Sequence, residues 1–171
     1  RIVYGTGGTR PQDDIDLLDE IFAPQFSRGT QRQIVDYATA ELVKVAANAF
    51  LATKISFINA VAELCEQSGA DVVALADAIG MDARIGRQFL SAGLGFGGGC
   101  LPKDIRAFMA RAGELGANHA LTFLREVDSI NMRRRTRMVE LTTRACGGSL
   151  LGANVAVLGA AFKPESDDVR D

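Results

Sequence analysis

The sequence predicts a mainly α-helical chain with a short strand-like segment near each end. Three observations carry that expectation. Proline is absent between positions 24 and 102, which permits long helices. Two long stretches, about Asp36 to Gln67 and about Leu121 to Cys146, keep apolar residues at helical spacing. Short apolar runs sit at Arg1–Tyr4 and Asn154–Gly159, each followed by glycine, as buried strands of α/β units usually are.

Taken in order, RIVY reads as the end of a strand, Gly5 to Thr9 as a turn, about Pro11 to Phe22 as a short amphipathic helix and Pro24 to Thr30 as a loop. The stretch from about Asp36 to Gln67 is Ala-rich and apolar on nearly all faces. It therefore needs a covering surface, plausibly a partner subunit, and Gly69 ends it. Asp71 to Ile79 and Ile85 to Ala92 read as two short helices, followed by a glycine knot in which Gly93, Gly95, Gly97, Gly98 and Gly99 fall within seven residues. Pro102 suits the first turn of a helix from about Leu101 to Leu115, where its missing N–H is not needed. In the last long helix Leu124, Val127, Ile130, Arg134, Met138, Leu141 and Ala145 follow the helical period, and Gly147 and Gly148 terminate it.

Composition narrows the class. In 171 residues there are 19 basic and 21 acidic side chains, a net charge of -2 that argues against a general polyanion binder. With 47% hydrophobic residues the chain has enough apolar surface for a core. Cys65, Cys100 and Cys146 are odd in number and widely spaced, with no metal-binding pattern, so a reducing, cytoplasmic setting is expected and no metal. Cys65 and Cys146 have the spacing of helix-packing residues, and His119 that of a capping or solvent-facing side chain. No signal peptide is visible. The most apolar run, Leu42 to Ile58, is interrupted by Lys44, Asn48 and Lys54 and reads as a buried helix rather than a membrane span.

Gly93-Leu-Gly95-Phe-Gly97-Gly98 satisfies the literal G-x-G-x-x-G pattern of dinucleotide-binding folds, but it lacks the preceding strand and the following helix of a βαβ unit. Gly5-Thr-Gly7-Gly8 fails on the same context and lacks the third glycine. The knot instead brings backbone close to a ligand and delivers Cys100 to the entrance of a helix. There the helix dipole and Lys103 favour a thiolate, and Asp104 lies in the first turn as an acid/base group or a cap. Spacing alone leaves Cys100 open between a nucleophile and a buried, inert thiol. Lys44 and Asn48, four apart, share a helix face, either as a snorkelling lysine with a satisfied amide or as a pair aimed at a developing negative charge.

A DNA-binding reading rests on the helix-turn-helix cadence of Gly69 to Gly86 and on Arg133, Arg134, Arg135 and Arg137. The second helix of that unit is short and poor in base-reading side chains, and the net charge is negative. The arginines are read more simply as a solvated helix face with local acidic partners. A purely structural dimerisation module is the other alternative.

The segments AELVKVAANAFLATKISFINAVAELCE, RIGRQFLSAGLGFGGGCLPKD and VAVLGAAFKPESDDVRD together resemble the UDP-glucose/GDP-mannose dehydrogenase family of nucleotide-sugar 6-dehydrogenases, with FGGGCLPKD the most specific signature. The resemblance implies the helical central dimerisation domain of such an enzyme: residues 1–30 from the NAD-binding domain, 31–147 the central domain and 148–171 the start of the UDP-binding domain. It implies NAD as cofactor, a UDP-sugar as substrate, a homodimer through the helix at 36–67, a cytoplasmic setting, and no nucleic acid or membrane partner. The implied reaction is UDP-glucose to UDP-glucuronate, with UDP-N-acetylmannosamine or GDP-mannose as alternative substrates. A cysteine adds to the aldehyde to give a thiohemiacetal, which donates the second hydride and leaves a thioester for water to hydrolyse.

By resemblance Cys100 is the nucleophile, Asp104 handles protons and positions water, and Lys44 and Asn48 stabilise the oxyanion. Arg84 reaches the sugar of the neighbouring subunit, and the loop from Ser91 to Gly97, including Gly93, Gly95 and Phe96, lines the sugar nucleotide. Phe162 and Lys163 contact substrate, while Lys103 and Arg170 face the cofactor phosphates. Gly99 stands where many members have Ser or Tyr. Most of the NAD and uridine sites fall outside the sequence, so the piece alone is expected to be inactive.

Overall fold

The structure is a computed structural model that describes residues 1–7 and 11–169. Its elements are β1 (Ile2–Thr6), α1 (Pro11–Phe26), β2 (Arg32–Asp36), α2 (Tyr37–Ser68), α3 (Val72–Gly80), α4 (Leu101–Glu114) and α5 (Phe123–Ala145). The chain is mainly α, as expected. It divides into two compact units, Arg1–Ala47 and Asn48–Asp171.

In the first unit β1 and β2 pair in parallel, from Ile2 opposite Arg32 to Thr6 opposite Asp36, with α1 between them in sequence. Sequence reading missed β2. Four of its five residues are exposed, so little apolar alternation marks it, and its backbone is extended because β1 supplies a ladder. The helix α1 also runs past its expected end at Phe22 and contains Pro24. The reason lies in Tyr4, which is buried on β1 with its ring 6.2 Å from Phe22 and 6.5 Å from Phe26, so the last turn stays helical to keep both rings in contact. Asp36 closes β2 and starts α2: its carboxylate accepts from the Thr39 N–H at 2.8 Å and from the Thr39 hydroxyl at 2.7 Å. Those bonds, the side-chain one foremost, hold the Asp36 pKa below its ordinary value.

The second unit is built on α2 and α5. One cluster joins Ala49, Ala52, Phe96, Ile105, Leu124 and Val127, and a second joins Ile58, Ala76 and Leu90. Small residues on α2 let its neighbours approach closely. The Ser56 hydroxyl, on that same face, donates to the Val127 carbonyl at 2.7 Å. The opposite face of α2 is uncovered: Phe50, Phe57 and Leu64, seven apart, are exposed by 64%, 52% and 67%. By length and composition α2 could cross a membrane, with a mean hydropathy of 1.4 in its most apolar window and a third of that window buried.

Four further expectations change. Residues 85–92 form turns instead of a helix, with Gly86 at φ +67° and Phe89 at φ +64°, dihedrals a helix does not admit. The run at 154–159 has no ladder partner among the described residues and stays fully exposed, since a lone strand has nothing to satisfy its backbone. Cys146 caps the end of α5 and is exposed, whereas Cys65 is packed as expected. Arg134 is no solvated side chain. Only 11% exposed, it lies 3.8 Å from Glu66 and 4.0 Å from Glu63, while Arg137 pairs with Glu66 at 2.7 Å, so the acidic partners are on α2. His119 is exposed, and its carbonyl accepts from the Thr122 hydroxyl.

Candidate active site

The start of α4 gathers the chemistry. Cys100 is its N-cap residue, Pro102 fits the first turn, and the first hydrogen bond of the helix runs from the Asp104 N–H to the Cys100 carbonyl at 2.9 Å. The thiol of Cys100 is free and exposed, so it is not a buried one. Asp104, in contrast, is buried at 4% exposure. Its carboxylate accepts from Asn48 Nδ2 at 2.7 Å and pairs with Lys103 Nζ at 2.8 Å. The hydrogen bond to Asp104 comes first, and the Cys100 charge last, among the causes that raise the Lys103 pKa. A negative side chain in the first turn of a helix is favoured by the helix dipole. Thiol, carboxylate, ammonium and amide thus meet within one helical turn and one neighbouring helix.

The glycine knot is held from behind by side chains. On α5, Asn131 is 1% exposed; its Oδ1 accepts from the Phe96 N–H at 2.7 Å and its Nδ2 donates to the Phe96 carbonyl at 2.9 Å. Arg134 Nε donates to the Gly93 carbonyl at 3.0 Å, and the Gly93 N–H donates to Asn59 Oδ1 at 2.9 Å. These three residues escaped sequence reading. A signal was present: the buried positions of α5 are Leu124, Val127 and Asn131, so an amide stands where the period demands an apolar residue.

The predicted substrate residues fall in several places. Ser91 and Gly95 line a hollow of about 310 Å³ with Ile55 and Phe89. Phe96 turns its ring into the core at 6% exposure, and Gly97 continues the loop. Phe162 covers Gly98, where an added Cβ would come within 2.8 Å of its ring, and Lys163 Nζ stands 5.3 Å above the same ring. Arg84 is elsewhere: held by Asp82 with contacts down to 2.6 Å, it lines a cavity of about 400 Å³ with Phe50, Phe57, Ile79 and Leu90. Its grip lowers the Asp82 pKa, and the Arg84 pKa rises in return. Lys44 is exposed on the part of α2 that belongs to the first unit, and Arg170 lies outside the described residues.

The Tyr37 ring packs against Gly7, where an added Cβ would meet it at 2.7 Å, and the Tyr37 hydroxyl donates to the Gly7 carbonyl at 3.0 Å. The context objection raised from sequence does not stand here, since β1, α1 and β2 do follow one another as a parallel unit; the missing third glycine still does.

The second unit is a helical one that presents a cysteine at a helix entrance, behind a clamped glycine loop. Residues 38–133 match the central-domain model of the UDP-glucose/GDP-mannose dehydrogenase family, and the chain belongs to that family. It is 42% identical to the UDP-glucose 6-dehydrogenase of Rickettsia felis, over 99% of this chain and 37% of the relative. Its identity to the UDP-glucose 6-dehydrogenase YwqF of Bacillus subtilis is also 42%, over 100% and 37%. Among solved structures, a UDP-glucose dehydrogenase from the hyperthermophilic archaeon Pyrobaculum islandicum superposes with a TM-score of 0.81 at 37% identity, over 98% of this chain and 37% of that one. The chain therefore spans less than two fifths of the length of these relatives.

Proposed function

We propose that the chain is the central part of a nucleotide-sugar 6-dehydrogenase, with UDP-glucose as substrate and UDP-glucuronate as product. Residues 1–30 belong to the NAD-binding domain in this reading, 31–147 to the central domain and 148–171 to the UDP-binding domain. NAD supplies the hydride acceptor and is held mostly outside the described residues, with Lys103 facing its phosphates together with Arg170, which also lies outside them. The reading is supported by family membership, by the names of the relatives and, above all, by an exposed Cys100 one turn before a buried Asp104 that Asn48 holds.

The residues present perform the following steps. The Cys100 sulfur adds to the carbon of the sugar aldehyde, and negative charge develops on the aldehyde oxygen. Asn48 donates to that oxygen, and Asp104 takes up and returns protons. After oxidation the carbon is a thioester. Water then adds to it as Asp104 takes one of its protons, the C–S bond breaks, Asp104 returns that proton to the sulfur to restore the thiol, and the acid releases the second proton to solvent and leaves as the carboxylate. Ser91 to Gly97, with Phe162 and Lys163, receive the sugar nucleotide.

Assayed in the full-length enzyme with UDP-glucose and NAD, Cys100→Ser is expected to lose acid formation by at least about 100-fold. Full turnover to the acid in that variant overturns the assignment.

The exposed stripe Phe50, Phe57 and Leu64 supports a homodimer through α2, and a cavity lined by Arg84 together with Phe50 and Phe57 of that stripe supports a contact of Arg84 with the second subunit's sugar. A monomer in sedimentation velocity at micromolar concentration overturns the dimer. The free thiols support a cytoplasmic setting.

A further inference from the structure

The main chain of the glycine loop is gripped by side chains rather than by a neighbouring strand. Asn131 occupies both hydrogen-bonding groups of Phe96, exactly one carboxamide for one residue's N–H and carbonyl, and it does so from a fully enclosed position on α5. One turn later Arg134 Nε donates to the Gly93 carbonyl, and on α2 the side-chain Oδ1 of Asn59 accepts from the Gly93 N–H. Asn59 is 0% exposed and its Nδ2 has no hydrogen-bond partner among the described residues, so α2 carries an unmatched buried donor on the side chain that holds Gly93. Gly95, between the two gripped residues, has φ +98° and no space for a Cβ, which would stand 2.1 Å from Asn131 Oδ1. The Phe96 ring is locked into the same core as Ile105 of α4. From Phe96 only Gly97, Gly98 and Gly99 lead to Cys100, and glycines transmit no side-chain contact that could set the sulfur's position.

We infer that Asn131 is a positioning residue for Cys100: its carboxamide, aided by Arg134 and Asn59, fixes the point from which the three glycines deliver the thiol to the start of α4, beside Asp104 and Asn48. This rests on the reading of Cys100 as the nucleophile. Misplacing a reacting group by about 1 Å costs on the order of 100-fold in rate. Asn131→Asp keeps the size of the side chain but sets an acceptor against the Phe96 carbonyl, so one bond is lost and the loop is pushed from its seat.

The test uses the full-length enzyme with UDP-glucose and NAD. In Asn131→Asp, kcat per folded molecule is expected to fall about 100-fold while KM for the sugar nucleotide moves by less than about tenfold. Arg134→Lys keeps the charge facing Glu63 and Glu66 but loses the Nε bond to Gly93, and kcat is expected to fall about tenfold. If Asn131→Asp does not fold, Arg134→Lys alone decides. Unchanged kcat in a folded variant overturns the inference, as does a loss confined to KM. An inactive wild type, or a Cys100→Ser enzyme that turns over fully, overturns the reading beneath it instead, and the two failures are separately visible.

Discussion

The chain has two glycine-rich stretches, and they use glycine differently. Gly5 lies in β1 and Gly7 directly follows it. Cβ atoms added there would meet the Ala40 Cβ at 2.9 Å and the Tyr37 ring at 2.7 Å, so these glycines make room for the first turn of α2. Gly95 and Gly98 lie in a loop between helices, at φ +98° and +78°, and added Cβ atoms would strike the Asn131 amide and the Phe162 ring. What approaches is decisive. Over the strand an apolar surface approaches, and the result is packing. In the loop a carboxamide takes both polar groups of the main chain, and the result is a fixed backbone conformation that packing alone would not require.

Replacing one glycine in each stretch sharpens the contrast. Gly95→Ala demands positive φ of a residue with a Cβ and displaces the Asn131 carboxamide from two hydrogen bonds, a loss of about 3 kcal/mol or more. It should lower both the urea midpoint and turnover per folded molecule. Gly5→Ala overpacks against Ala40, which a small shift of α2 can relieve, so a loss of about 1–2 kcal/mol is expected. Turnover per folded molecule should hold. Equal losses of turnover in the two variants would break the distinction.

Sequence alone exposed the helices because their period is carried by many residues at once: α2, α4 and α5 begin and end within about two residues of expectation. It also exposed Cys100 and Asp104, whose positions relative to a helix start follow from Pro102. It did not expose β2, because a five-residue strand with one half-buried position owes its shape to the ladder with β1. Nor did it expose the loop clamp. Asn59, Asn131 and Arg134 are 34, 35 and 41 residues from the loop atoms they bind, so no local spacing connects them. The arginine cluster misled for a related reason: its charge suggested solvent, but Glu63 and Glu66 on α2 let Arg134 turn inward.

The smallest expected effect comes from the turn that places Tyr37 over Gly5 and Gly7. Asp36 holds that turn through Thr39, and folding lowers its pKa from an ordinary 3.8. A carboxyl with a lowered folded pKa binds fewer protons in the folded chain, so its contribution is complete above the ordinary carboxylate range and fades as pH falls through the lowered value. Asp36→Ala should therefore reduce the urea midpoint at about pH 7 by less than Gly5→Ala does, and its difference from wild type should narrow steadily between about pH 5 and pH 2. If the difference stays constant over that range, the charge of Asp36 is not what closes the turn, and the seat of Tyr37 over the two glycines is then held by the fit of its ring and by its hydroxyl's bond to the Gly7 carbonyl.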